Sequence, residues 1–264
     1  MNYVLVTGAY GGMGKATVKK LTELGFTVFA MDKVTGEPSE NVIPLSADVT
    51  DEQSILSAFE TVKKTTDSLY AIIHFVGIYR LDSLVEIETD DLKKIFDVNL
   101  FGATSINRTF YPMLNRGGRI IMITSELAPL SPLPFTGIYA ISKSALDKYA
   151  FSLKMELQLK GVFVSVLRAG AIDTAMLSVS TSELDKFCEM TQTYKLQAQR
   201  FKTIVDSVEA KKIPPKKLAD KVIKILRKKK PSFAYSINRN PLLKIFEILP
   251  TRFRFFVIKK IISK

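Results

Sequence analysis

The chain has one cysteine, one histidine and no tryptophan in 264 residues. A lone cysteine, Cys188, excludes an internal disulfide framework and suits a reducing, cytoplasmic setting. With so few soft ligands, no metal site is expected. His74 reads as a strand-end residue and not as an acid–base group. No apolar run reaches the roughly 18 residues of a membrane-crossing helix. "MNYVLVTGAY" enters a strand pattern directly, without the look of a secretory leader. Internal repeats and low-complexity segments are absent as well.

Acidic residues are scarce in one region only. The net charge is +12, yet residues 211–264 hold 17 Lys and Arg against two Asp and Glu, leaving residues 1–210 at −3. The excess is confined to the tail, so the total does not imply a nucleic-acid-binding fold.

What is present points to a folded α/β protein. Hydrophobic residues make up 47%, enough for a sizeable core. "NYVLVT", "FTVFAMD", "NVIPLSADVT", "LYAIIHFVG", "GRIIMITS" and "VFVSVLRAG" are short β-branched runs. Helical patterns separate most of them, among them "KATVKKLTELG", "DEQSILSAFETVKK" and a long helix from Tyr139 to about Leu159. The pattern from Thr89 onward breaks near Asn99 and Gly102. "PSFAYSIN" supplies a seventh strand. Alternation of this kind predicts a doubly wound parallel sheet of about seven strands with helices on both faces. Residues 1–238 are expected to form one dinucleotide-binding catalytic domain with a lid at about 175–213, and residues 239–264 a basic amphipathic extension.

The first strand runs into "TGAYGGMGKAT" and then a helix. Glycines at a strand–helix junction let the backbone approach a pyrophosphate, while the helix N-terminus offers N–H donors and partial positive charge. Asp32 ends the second strand, 18 residues after Gly14. A carboxylate there can accept hydrogen bonds from a ribose and repels a 2′-phosphate, favouring NAD(H) over NADP(H). Lys33 beside it could instead attract a phosphate.

Tyr139 and Lys143 lie four residues apart in "YAISK" and share a helical face. A free phenol titrates near 10, and a neighbouring ammonium is expected to lower that value towards working pH.

Taken in order, these motifs resemble the short-chain dehydrogenases/reductases over about the first 175 residues. "TGAYGGMG" is similar to the family's Thr-Gly-x-x-x-Gly-x-Gly, "ADV" to its adenine-side contact, and "DVNLFG" to the segment with its helix asparagine. Ser125 ends strand five, "YAISK" is the Tyr-x-x-x-Lys pair, and "RAGAIDT" is the loop after strand six. The resemblance implies hydride transfer with Tyr139 as general acid/base, Lys143 tuning it, Ser125 holding the substrate oxygen, and Asn99 holding a water beside Lys143. It assigns Thr7, Gly8, Tyr10, Gly12, Met13, Gly14, Asp32, Asp48, Val49, Val76, Gly77, Asn99, Tyr139, Lys143, Gly170, Ile172 and Thr174 to the cofactor. Two departures stand out. "HFVG" replaces Asn-Asn-Ala-Gly, putting local backbone support in question, and Ala169 stands where proline is usual. Arg168 is read as structural.

"ELAPLSPLPFTG" and the insertion after strand six offer Leu127, Leu130, Leu133, Phe135, Met176 and Leu177 as walls for a bulky apolar substrate. Packing of the lid alone would also explain them. The tail interleaves lysines with Leu218, Val222, Ile225 and Leu226, and later with Leu242, Ile245, Phe246 and Leu249. Such basic amphipathic segments lie on anionic membranes, cover a site entrance or pack on a second subunit. The tail loosely resembles that of the retinol and 17β-hydroxysteroid dehydrogenase subgroup, implying a steroid, bile-acid or retinoid-like alcohol. Leu146, Tyr149, Ala150, Leu153 and Leu157 on the long helix suggest a homodimer or homotetramer contact. The rival readings are an NADPH-dependent 3-oxoacyl-type ketoreductase and a non-catalytic NAD(H)-binding module at a membrane. Asp32 disfavours the first, and the intact Asn99–Ser125–Tyr139–Lys143 set disfavours the second.

Overall fold

The computed structural model describes residues 2–207 and 211–263. Seven strands run in parallel: β1 (Tyr3–Thr7), β2 (Thr27–Asp32), β3 (Val42–Ser46), β4 (Leu69–His74), β5 (Leu114–Ser125), β6 (Phe163–Ala169) and β7 (Ala234–Ile237). Their order across the sheet is β3-β2-β1-β4-β5-β6-β7. The order reverses between β1 and β4, so the helices leaving these strands diverge and open a crevice at the carboxyl ends.

Strand alternation divides the core between two faces. Val4 and Val6 of β1 join one cluster and Leu5 the other. On the Leu5 side lie α2 (Glu52–Thr65), α4 (Gly102–Phe110) and α5 (Gly137–Leu157), contributing Ile55, Ile106 and Leu146. On the Val4 side lie α1 (Gly12–Glu23) and α8 (Pro215–Leu226), contributing Leu21, Leu218 and Val222. The α2 helix shows local sequence control: the Asp51 carboxylate accepts the Gln53 N–H at 3.0 Å, and Lys63 and Lys64 occupy the last turn.

The lysine-rich helix α8 buries the apolar stripe read in its sequence and turns its lysines to water. One expectation is corrected here. Leu146, Ala150 and Leu157 of α5 point into the core, with Tyr149 and Leu153 packed against it. They are therefore not a subunit contact; the exposed apolar residues of α5 are Ile141, Phe151 and Met155.

The break read near Asn99 is a π-helical turn, Asp97–Phe101, between α3 (Thr89–Phe96) and α4. After β6, α6 (Ala175–Met190) and α7 (Lys195–Ser207) occupy the segment expected to be a lid, and after β7 come α9 (Pro241–Ile248) and α10 (Thr251–Ser263). Leu184, Phe187, Ala198 and Phe201 form a third apolar cluster with Leu81, and Ile262 of α10 packs against it. A polar knot ties the end of the chain to the loop after β5: Glu247 accepts from the Ser131 hydroxyl at 2.7 Å and pairs with Arg254 at 2.6 Å. Among the described residues no helix is long and apolar enough to cross a membrane.

Candidate active site

Two adjoining cavities sit at the crevice. The first, of about 270 Å³, is lined by Gly8, Gly11, Gly12, Met13, Gly14, Asp32, Val76, Gly77 and Thr174. Its floor demands glycine. Gly8 has φ +67°, and a side chain on Gly14 would overlap the Gly8 carbonyl oxygen. Helix α1 begins here with no side-chain cap and no acidic residue in its first turn, leaving its N–H donors available. These features fit the pyrophosphate of a dinucleotide.

Asp32 reaches the same cavity. Its carboxylate is held by the Tyr10 N–H at 3.0 Å and the Lys33 N–H at 2.8 Å. The Lys33 ammonium is turned to Asp48, 2.8 Å away. This contact, with the Thr50 N–H and hydroxyl, depresses the Asp48 carboxyl to about 2. Other assigned cofactor residues lie outside the cavity wall. Thr7 is fully buried in β1, Val49 is packed against Gly102, and the Tyr10 hydroxyl is buried without a hydrogen-bond partner.

The second cavity, about 290 Å³, holds Ser125, Tyr139 and Lys143. Ser125 comes from the end of β5, the other two from the first turns of α5. The Ser125 hydroxyl accepts the Leu127 N–H at 3.2 Å and acts on the Tyr139 phenol in the sense that favours its ionised form. Lys143 Nζ lies 6.0 Å from the Tyr139 ring centroid. Asn99 stands behind this group: its Oδ1 accepts the Ile78 N–H at 2.8 Å, and its Nδ2 donates to the Ile78 carbonyl and the Ser142 hydroxyl, both at 3.0 Å. Asn99 thus fixes the strand-β4 exit loop from within the π-turn, which places its carboxamide where a regular helical turn would not.

Lys143 by itself does not lower the Tyr139 phenol. Burial pushes Tyr139 up to about 12, the Ser125 hydroxyl opposing it only partly. Burial also brings Lys143 down to about 8. Both groups lose solvation of their charged forms, and burial is the leading cause of each shift. The phenol is therefore neutral at ordinary pH.

His74, in place of the usual asparagine, closes a buried chain across β1, β4, α4 and α5. Its Nε2 meets Asn107 Oδ1 at 2.9 Å, its Nδ1 is 3.5 Å from the Thr7 hydroxyl, and Asn107 Nδ2 donates to the Tyr149 hydroxyl at 3.2 Å. Since Asn107 Oδ1 can only accept, Nε2 carries the proton. Burial lowers His74 to about 4, so it is a neutral brace. Arg168 is structural too, pairing with Asp147 through Nε at 3.0 Å and Nη2 at 2.7 Å.

Of the expected substrate walls, Leu127, Met176 and Leu177 line the catalytic cavity, with Gly170, Ile172 and Thr174 beside them. Leu130 and Leu133 do not. Phe135, with φ +65°, turns instead to Phe187, Tyr194 and Phe201 in the lid cluster. The sequence reading missed Tyr79, Glu126, Asn240 and Leu243, all of which line the cavity. Tyr79 packs on Tyr139 with ring centroids 4.7 Å apart. Glu126 was visible as the charge after Ser125, whereas nothing local marks Leu243 of α9.

The sequence profile described as short chain dehydrogenase matches residues 2–185. A mouse protein named estradiol 17-beta-dehydrogenase 2 is 34% identical over 184 residues, covering 65% of this chain and 48% of its own. A Bacteroides thetaiotaomicron protein named 3-ketodihydrosphingosine reductase is 25% identical over 245 residues, covering 92% and 89%. The chain spans less than two thirds of the length of several other curated relatives, 62% in two cases. A solved short chain dehydrogenase family protein from Francisella tularensis superposes with TM-score 0.75 at 24% identity, over 90% of this chain and 97% of that one, and shares the fold. Profile, motif order and sheet topology agree: the chain belongs to the short-chain dehydrogenase family of NAD(P)-dependent oxidoreductases.

Proposed function

We propose that the protein interconverts a secondary alcohol and a ketone on a bulky, lipidic substrate, using NAD(H). The observation that carries this reading is the cluster of Ser125, Tyr139 and Lys143 in one cavity that adjoins the glycine-floored cleft. The bound nicotinamide would accept or supply the hydride. Ser125 holds the substrate oxygen, and Tyr139 gives its proton to that oxygen in reduction or removes it in oxidation. Lys143, partly charged near neutral pH, stabilises the phenolate that forms, while Asn99 keeps the loop behind Lys143 in place.

The NAD preference rests on Asp32 at the cleft and on Lys33 being engaged by Asp48. The lipidic substrate rests on Leu127, Met176, Leu177 and Leu243 in the cavity wall. The relatives named for estradiol and for 3-ketodihydrosphingosine support the same class. Steroid, retinoid and long-chain ketones, each offered with NADH and NADPH and followed by cofactor absorbance, test it. Turnover confined to small polar ketones would reject it.

The C-terminal hairpin of α9 and α10 is proposed to rest on an anionic membrane beside the cavity. Leu242, Ile245 and Ile248 form an exposed row on α9, while Leu243 faces the site. Phe253, Phe255 and Phe256 are exposed on α10, amid Arg252, Lys259 and Lys260. Each cation near such a surface contributes about 1 kcal/mol. Salt-sensitive pelleting with phosphatidylserine vesicles is expected, and no pelleting would reject the contact. A homo-oligomer is also proposed, through the exposed Ile141, Phe151 and Met155 face of α5; light scattering tests it.

A further inference from the structure

Among the described residues, Glu126 is the only acidic side chain lining the cavity that holds Ser125, Tyr139 and Lys143. It follows Ser125 directly, and its N–H extends the β5–β6 ladder by donating to the Ala169 carbonyl at 2.9 Å. One carboxylate oxygen, Oε2, accepts the Asn240 N–H at 2.6 Å, which holds the start of α9 against the site. The other, Oε1, lies over Gly170, where a side chain would crowd it at 3.0 Å. Among the described residues no lysine or arginine forms an ion pair with this carboxylate. Arg239 alone reaches it with its charge, and burial raises its affinity for a proton. Lys143, in the same cavity, is shifted by burial alone.

A half-buried carboxylate beside leucines and a methionine is costly unless something satisfies it. Asn240 satisfies one oxygen. A structural clasp needs no charge, since a neutral amide oxygen would accept the same N–H. The remaining charge faces a cavity whose contents come from solution.

Resting on the alcohol–ketone reading, we propose that Glu126 binds a protonated amine carried by the substrate close to its reacting carbon. The substrate class is then an amino ketone or amino alcohol with an apolar remainder: oxygen on Ser125 and Tyr139, ammonium on Glu126, chain along Leu127, Leu177 and Leu243. An N⁺–H···O⁻ contact in a partly dry cavity is among the stronger polar contacts available. It fixes which side of the carbonyl bears the nitrogen, which apolar walls cannot do. No proton is transferred by Glu126 in this role; it selects and orients.

The test is equilibrium binding by calorimetry with NAD present. The probes are a medium-chain 2-amino-3-alkanol and the amine-free 3-alkanol of equal length, on the full chain and on Glu126→Gln. The intact protein is expected to bind the amine-bearing probe about tenfold tighter or more. In Glu126→Gln that ratio is expected to fall to near one, because the amide still accepts the Asn240 N–H but carries no charge. A merely structural role for Glu126 would weaken both probes together and leave the ratio intact. An unchanged ratio, absence of any preference in the intact protein, or binding of neither probe overturns the proposal. Tight, Glu126-dependent binding without turnover would leave Glu126 assigned and instead refute the redox reading.

Discussion

Gly77 stands against Lys143: a methyl group on its α-carbon would sit 2.9 Å from the Lys143 ammonium and 3.3 Å from Asn99 Oδ1. The glycine therefore sets how closely the β4 exit loop approaches the catalytic helix. Gly77→Ala is expected to leave the fold intact and push Lys143 Nζ aside. A loss of about tenfold or more in kcat should follow, with a smaller change in thermal midpoint. Steady-state kinetics alongside a thermal melt check both.

Tyr139→Phe removes the proton donor and should lower turnover by about a hundredfold or more, within the usual range for general acid–base catalysis. The pH dependence follows from the two opposite shifts. Reduction needs the protonated phenol, which persists past pH 10 with a value near 12, so loss of rate should begin instead as Lys143 loses its charge above about 8. Oxidation needs the phenolate and should rise with pH through the same range. Rate profiles in both directions, from pH 6 to 10, check the signs.

The cofactor preference should depend on Asp32. Asp32→Ala is expected to raise catalytic efficiency with NADPH relative to NADH by about tenfold, since the repulsion of a 2′-phosphate is gone. Asp48→Asn should act in the same direction more weakly, by releasing Lys33 from its 2.8 Å ion pair. Kinetics with both cofactors on each variant would decide whether the two substitutions agree.

His74 makes acid sensitivity specific. Its folded value of about 4 lies below the ordinary value of 6.5, so the unfolded chain binds the extra proton between these limits. Stability should be unaffected by this group above pH 6.5 and fall as pH drops towards 4, by about 3 kcal/mol in all. Denaturant titrations of the intact protein and of His74→Asn, at pH 7 and 5, should show a shallower decline in the variant.

Local pattern revealed the sheet because each strand is a short buried run between turn residues. Spacing put Tyr139 and Lys143 on one helical face and the family resemblance singled out Ser125; the fold brings all three to one cavity. Local pattern did not reveal that Phe135 leaves the cavity, since that depends on a positive φ and on aromatic partners 52 to 66 residues further along the chain. Nor could it assign the faces of α5, whose apolar residues suit a core and a surface contact equally until the neighbours are known. Leu243 and Asn240 reach the site only through the fold of the chain after β7. The Tyr139 shift escaped for a related reason: spacing gives proximity to Lys143, but burial decides which effect wins.

The carboxylate of Glu86 accepts hydrogen bonds from the Thr191 hydroxyl at 2.6 Å and from the N–H groups of Gln192 and Thr193 at 3.0 and 2.8 Å. Arg80 grips Glu183 halfway along α6, at 3.3 Å. The far turn of the lid is thus riveted, its middle is latched, and its near end at Thr174 and Ala175 has no side-chain cap. The contacts thus hold α6 at its far end and middle and leave its first turn the least tied. The free end borders the dinucleotide cleft, and backbone amides should exchange with deuterium fastest around residues 175–180 and slowest at the riveted turn.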